Sequence, residues 1–155
     1  MKETAAALLM ALLLILLAAC GSAPAKNVDL PALMAKLPLA QEDRDEMMEL
    51  DAADLMTYYG IAEADVKQFA AMMHTSGIDC DEIVLIEAAD SAAAGRVKTA
   101  LEARLEIKKN EMRDYLPDEY AVIAKCGVRQ DGTLVAMIVS PDEKEISGAY
   151  QEGIR

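Results

Sequence analysis

The apolar positions of this chain change rhythm several times along its length, and each change marks an element. From Ala5 to Ala19 the residues are apolar, with no charge among them. After a small-residue gap, Val28 to about Val66 reads as helical. Asp29 is placed to cap a short helix over Leu30, Leu33, Met34 and Leu37, which Pro38 stops. Gln41–Glu46 is an acidic run expected to sit in solvent. Asp51, with Asp54 three residues on, forms a capping signal. Leu55, Met56 and Tyr59 supply the next apolar turns, and Gly60 falls where a left-handed residue closes a helix.

The middle of the chain changes to strand character. Phe69–Thr75 and Glu82–Glu87 flank a turn signal at Ser76-Gly77. The second run is continuously apolar through Ile83-Val84-Leu85-Ile86, as expected of a strand covered on both faces or central in its sheet. From Ser91 to about Asp114, Val97, Leu101, Leu105 and Met112 recur on one face of a long helix. Lys98 and Glu102 form an i,i+4 pair on another face. Pro117 closes that region, and Tyr120–Cys126 reads as a strand. Asp131-Gly132 is a type I′ hairpin signal leading into a strand over Thr133–Val139. Ser140-Pro141 breaks that strand, and a short amphipathic helix from Asp142 ends the chain. The order helices, hairpin, long helix, hairpin, helix predicts an α+β fold, with helices packed on one sheet of about four strands.

The first apolar run ends in Leu17-Ala18-Ala19-Cys20. A charged start, an uncharged segment of about 15 residues and small residues at its end have the form of a secretory signal peptide. The segment is short for a bilayer span, which takes about 20 residues. Its ending resembles the bacterial lipobox, Leu-[Ala/Ser]-[Gly/Ala]-Cys. That resemblance implies diacylglycerylation of the Cys20 thiol, removal of residues 1–19, and a protein anchored at the outer face of the cytoplasmic membrane. Each buried lipid CH₂ contributes about 0.8 kcal/mol, so stable anchoring needs about two chains, which one diacylglyceryl group carries. Residues 20–27 then form a short tether with Pro24 in it, and residues 28–155 form a single domain.

Charge and composition narrow the partners. The net charge of −12 argues against nucleic acid and against adhesion to anionic headgroups through basic patches. With no Trp, one Phe and ten Met, the core is built from aliphatic and adaptable Met side chains. Cys80 and Cys126 remain once Cys20 is lipidated, and outside the cytoplasm an even remainder invites a disulfide. If Tyr120–Cys126 returns parallel to Glu82–Glu87, however, the two thiols lie at opposite ends of their strands. That is roughly 20 Å at about 3.3 Å per residue, whereas bridged Cα atoms sit within about 7 Å. Two buried thiols are therefore expected.

Candidate chemistry is sparse. His74 is the only histidine, and no nucleophile motif, HExxH, CxxC or glycine-rich phosphate loop accompanies it, so the sequence implies no catalytic residues, no metal site and no cofactor. Glu42, Asp43, Asp45, Glu46, Glu49, Asp51 and Asp54 lack the alternation and glycine of a calcium loop, and read as a solvated helix entrance. Asp79, Asp81 and Glu82 are expected to be solvated in the same way. Arg104, at the edge of the long helix's apolar stripe, together with the Tyr115-Leu116-Pro117 corner and Tyr120, is a candidate binding patch. A structural corner is the plainer expectation for these residues.

Tyr59-Gly60-Ile61, then Asp81-Glu82-Ile83-Val84-Leu85-Ile86, Leu101-Glu102-Ala103-Arg104-Leu105 and Tyr115-Leu116-Pro117-Asp118-Glu119-Tyr120 form an ordered set. The set is similar to that of small Gram-positive lipoproteins of the domain of unknown function 4358 family. The resemblance runs from about Val28 to Tyr150. It implies localisation and fold type and brings no catalytic residue or ligand. The expected function is a surface-anchored, non-enzymatic binding or interaction module. Its partners are the membrane through Cys20, and an envelope protein or small ligand. The alternative is an envelope hydrolase with paired carboxylates, about 5–9.5 Å apart for glycosidic chemistry. A transporter's substrate-binding lipoprotein fits badly, because such proteins close two domains on a ligand.

Overall fold

A computed structural model describes residues 27–155. Cys20, the apolar run before it and most of the tether lie outside the described residues. Helix α1 (Leu30–Met34) opens on Asp29, whose carboxylate accepts the Ala32 N–H at 3.0 Å. Gln41–Glu46, expected as a solvated run, forms a short helix, α2, with none of its residues buried. Strand β1 (Met47–Glu49) follows directly. Helix α3 (Ala52–Tyr59) starts at a reciprocal capping box between Asp51 and Asp54 and ends at Gly60, φ +67°. A 3₁₀ turn (Glu63–Asp65) leads into β2 (Val66–His74), and β3 (Glu82–Ala88) returns antiparallel to it. The long α4 (Ser91–Met112) carries the expected Lys98–Glu102 pair. Helix α5 (Pro117–Ile123), β4 (Val128–Asp131), β5 (Leu134–Val139) and α6 (Glu143–Gly153) complete the chain.

The α+β class holds, with one antiparallel sheet of five strands in the order β1-β2-β3-β5-β4. Strand β3 is central and buried on both sides. Ile83 and Leu85 face a core with Leu30, Met34, Ile146 and Tyr150. Val84 and Ile86 face a second core with Leu55, Tyr59, Val97, Leu101 and Leu105. Helices α1 and α6 thus cover one face, and α3, α4 and α5 the other. Continuous apolarity in Ile83–Ile86 is the consequence of that double burial.

Several expectations are corrected. Tyr120–Cys126 is not a strand. Pro117 occupies the first turn of α5 with Asp118 and Glu119 beside it, a helix-starting pattern, and the strand begins two residues past Cys126. The parallel return fails with it, since β3 pairs antiparallel with its neighbours β2 and β5. Cys80 and Cys126 are nonetheless free and buried, so that outcome stands on a premise that does not. The β4–β5 loop is Gly132-Thr133, because Asp131 still pairs with Leu134. Gly132 has φ +64° and no non-glycine residue is positive among the described residues, as in a type II′ turn and not type I′.

Candidate functional site

The outward side of β2, next to the edge strand β1, is paired over only part of its length. Strand β1 matches β2 only at Met72, Met73 and His74. Its brevity has a local cause: Asp51 is the N-cap of α3, accepting the Ala53 and Asp54 amides at 2.7 and 3.0 Å. The chain leaves the sheet to start that helix, and the last contact is the Leu50 N–H to the Ala71 carbonyl, 2.9 Å. The His74 N–H donates to Asp81 of the β3 side at 2.8 Å, and the Thr75 N–H to Glu46 of the β1 side at 3.0 Å. In an antiparallel ladder these directions alternate. Even-numbered residues of β2 therefore bond β3, and Phe69 turns its N–H and C=O to the open side.

A hollow lies on each side of this edge, and Phe69 lines both. On the α3 side a space of about 360 Å³ is lined by Ala52, Leu55, Ile61, Glu63 and Val66. On the α1 side a space of about 480 Å³ is lined by Met34, Arg44, Asp45, Met47, Glu49 and Met72. Arg44 is committed to carbonyls of Met34 and Leu37 at 3.1 and 2.8 Å, where it satisfies the end of α1. Lys67 is paired with Glu87 at 2.6 Å. Glu49 and Glu63 pair with no cation among the described residues. Gln68 fixes the start of the domain beside this edge, since its amide donates to the Val28 carbonyl at 2.6 Å and accepts the Leu30 N–H at 3.1 Å.

A second constellation is buried. Glu82, expected in solvent, is fully buried at the start of β3. Arg104 binds its carboxylate from Nε at 3.2 Å and Nη2 at 3.0 Å. Lys108 reaches the same carboxylate at 2.7 Å and the Cys80 carbonyl at 2.9 Å. Burial pushes the Glu82 carboxyl up, but hydrogen bonds from Arg104 and the charges of Lys108 and Arg104 outweigh it and hold the group below the usual carboxylate range. Arg104 also lies 5.9 Å from the centre of the Tyr59 ring. The Tyr59 hydroxyl is buried without a partner among the described residues. Burial, then the charge of Glu82, push that phenol well up. This is a buried electrostatic brace between β3 and α4.

The residues of the candidate patch have separate surroundings. Arg104 is turned to Glu82 and Tyr59. Tyr115 is 85% exposed, and Tyr120 has Arg113 over its ring at 5.6 Å. His74 Nδ1 accepts the Ser76 N–H at 3.0 Å, which leaves Nε2–H facing Glu46 at 3.2 Å and Asp79 at 3.8 Å. Among the described residues no group of three or more His, Cys, Asp or Glu side chains is arranged for a metal. Near His74, burial and then the charges of Asp79, Asp43 and Glu119 push the Asp81 carboxyl up to about 6. Lys108 was missed although its signal exists: it falls on the 97-101-105-108-112 stripe that the long helix buries. The open edge of β2 had no comparable signal, because it depends on where β1 stops.

The family described as Domain of unknown function (DUF4358) matches residues 40–140. No curated protein and no solved structure matches the chain.

Proposed function

The chain belongs to the domain of unknown function 4358 family, and from that premise we propose that it is a lipid-anchored, non-enzymatic binding module held at the outer face of the cytoplasmic membrane. The observation that carries this reading is Leu17-Ala18-Ala19-Cys20, with the apolar run before it. In support, the start of the described domain lies beside β2, where Val28 and Leu30 bond Gln68, so a tether of eight residues or fewer holds that edge within roughly 25 Å of the lipid, at about 3.3 Å per residue. Acidic rims on the hollows suit a cationic or amide-rich partner better than an anionic surface.

Metabolic labelling with an alkyne fatty acid tests the anchor. The chain is expected to take the label and sediment with membranes, and Cys20→Ser to lose both. A labelled Cys20→Ser variant, or a wild type free of label, overturns it. A second reading, the envelope hydrolase, draws on Asp45 and Glu49, which line the same hollow. It requires turnover of a wall polymer that Asp45→Asn and Glu49→Gln each abolish.

A further inference from the structure

We infer that the open edge of β2 is a strand-addition site that takes an extended, lysine- or arginine-bearing segment of a partner protein. This rests on the binding-module reading and names the partner's chemistry. Phe69 presents a backbone donor and acceptor outward, and the end of β1 marks the line an added strand follows. Main-chain hydrogen bonds supply affinity in such additions, and pockets for alternate side chains supply selectivity. The edge has that arrangement: a hollow on the α3 side and another on the α1 side, each reached by alternate residues of an incoming strand.

The charge of the occupant follows from the rims. Glu63 stands at one hollow and Glu49 with Asp45 at the other, and no cation pairs with these groups among the described residues. Arg44 bonds only carbonyls and keeps its charge, so with Asp45 and Glu49 its hollow is left with one net negative charge; Lys67 is paired with Glu87, which leaves Glu63 uncompensated at the other. A basic strand therefore meets unpaired carboxylates on both sides.

The opposite edge of the sheet shows what a protected edge looks like here. Strand β4 is four residues long, exposes Arg129, Gln130 and Asp131, and ties Arg129 to Glu143 at 2.8 Å. Short length and charge are how proteins close an edge to pairing. Strand β2 carries a bulge and a lysine at Lys67 alone, and Ala71 already accepts the Leu50 N–H, which limits the free stretch to Gln68–Ala70 and discourages long sheet-to-sheet stacking. A second copy of this equally acidic chain is disfavoured for the same reason of charge.

The test uses the full chain in detergent and a seven-residue peptide alternating lysine and valine, with a glutamate–valine peptide as comparison. The lysine peptide is expected to bind and to slow exchange of the Phe69 amide at least tenfold. Two N-methylated forms, one at odd and one at even positions, separate strand pairing from charge attraction. One should lose at least tenfold in affinity and the other should bind like the parent. Glu49→Gln with Glu63→Gln should weaken binding at least threefold at low salt. The inference is overturned if both N-methylated peptides bind alike, if the glutamate peptide binds as well, or if protection falls on Arg129–Asp131. It is also overturned if Phe69 is already protected in a dimer of the chain alone. Each of these leaves the anchored binding module standing, whereas loss of fatty-acid labelling strikes that reading and not this one.

Discussion

Replacing Glu82 by glutamine removes one negative charge from a site where two cations converge. Glu82 is fully buried and Lys108 only 4% exposed, so water cannot replace the lost charge. The amide keeps the volume but offers one acceptor to Arg104 and Lys108, and turns its own donors toward a cation. Breaking a buried ion pair by removing one partner costs about 3–5 kcal/mol, a large part of the 5–15 kcal/mol by which domains are typically stable. For a domain of this size the loss corresponds to a fall in Tm of roughly 10–20 °C. Thermal and urea unfolding followed by far-UV circular dichroism at pH 7 measure it. The sign of the pH dependence is fixed as well. Because the folded Glu82 carboxyl is held low, its contribution is present above the unfolded value, about 4.3, and is lost as pH falls through the folded value. Wild type and Glu82→Gln should therefore converge in acid. Glu82→Leu with Lys108→Met should recover part of the loss, since apolar side chains can replace a buried ion cluster. A Glu82→Gln loss below about 1 kcal/mol at pH 7 would refute the brace.

Asp81 works in the opposite direction. With its folded carboxyl pushed up to about 6, its favourable contribution is present in acid and lost as pH rises between about 4 and 6, so Asp81→Asn should gain stability over wild type across that window. The full rise corresponds to about 3 kcal/mol, and solvent screening of this part-exposed carboxyl reduces the gain to about 1 kcal/mol at pH 7. A flat difference between the two unfolding curves from pH 4 to 7 contradicts this. Gly60→Ala places a side chain at φ +67° and should lower stability by about 1–2 kcal/mol, measured by urea denaturation, with Gly77→Ala as a neutral comparison. Burial raises both thiols, helped at Cys80 by the Glu119 carboxylate. Iodoacetamide at pH 8 should label neither Cys80 nor Cys126 in the native protein and both in urea; native labelling of either contradicts the burial.

Local signals carried most of the fold. The Asp51–Asp54 box, Gly60, the apolar run of β3 and the stripe of α4 each follow from one element's own physics, and each is found as expected. What failed depended on choosing between two local readings. Pro117 both ends one segment and starts another, and the β-branched Val122-Ile123 pulled the reading toward a strand, although the acidic turn after Pro117 starts a helix. Glu82 looked solvated because its neighbours Asp79 and Asp81 are polar. Its burial is set by Arg104 and Lys108, which lie 22 and 26 residues further along the chain on α4. The hollows beside β2 depend on three residues of β1 and the departure of the chain at Asp51, a tertiary outcome with no periodic trace.

Two proposals meet at the β2 edge: binding of a basic strand there, and anchoring of the domain through Cys20. Photocrosslinking in intact cells addresses them most directly, with benzoylphenylalanine placed at Lys67, beside the open stretch, or at Ile107, an exposed apolar position on α4. An adduct is expected from position 67, mapped to an extended basic segment of another protein, with none from Ile107 and loss of the adduct in Cys20→Ser. Adducts of equal yield from both positions, or none from position 67 in labelled, membrane-bound protein, would contradict binding at that edge.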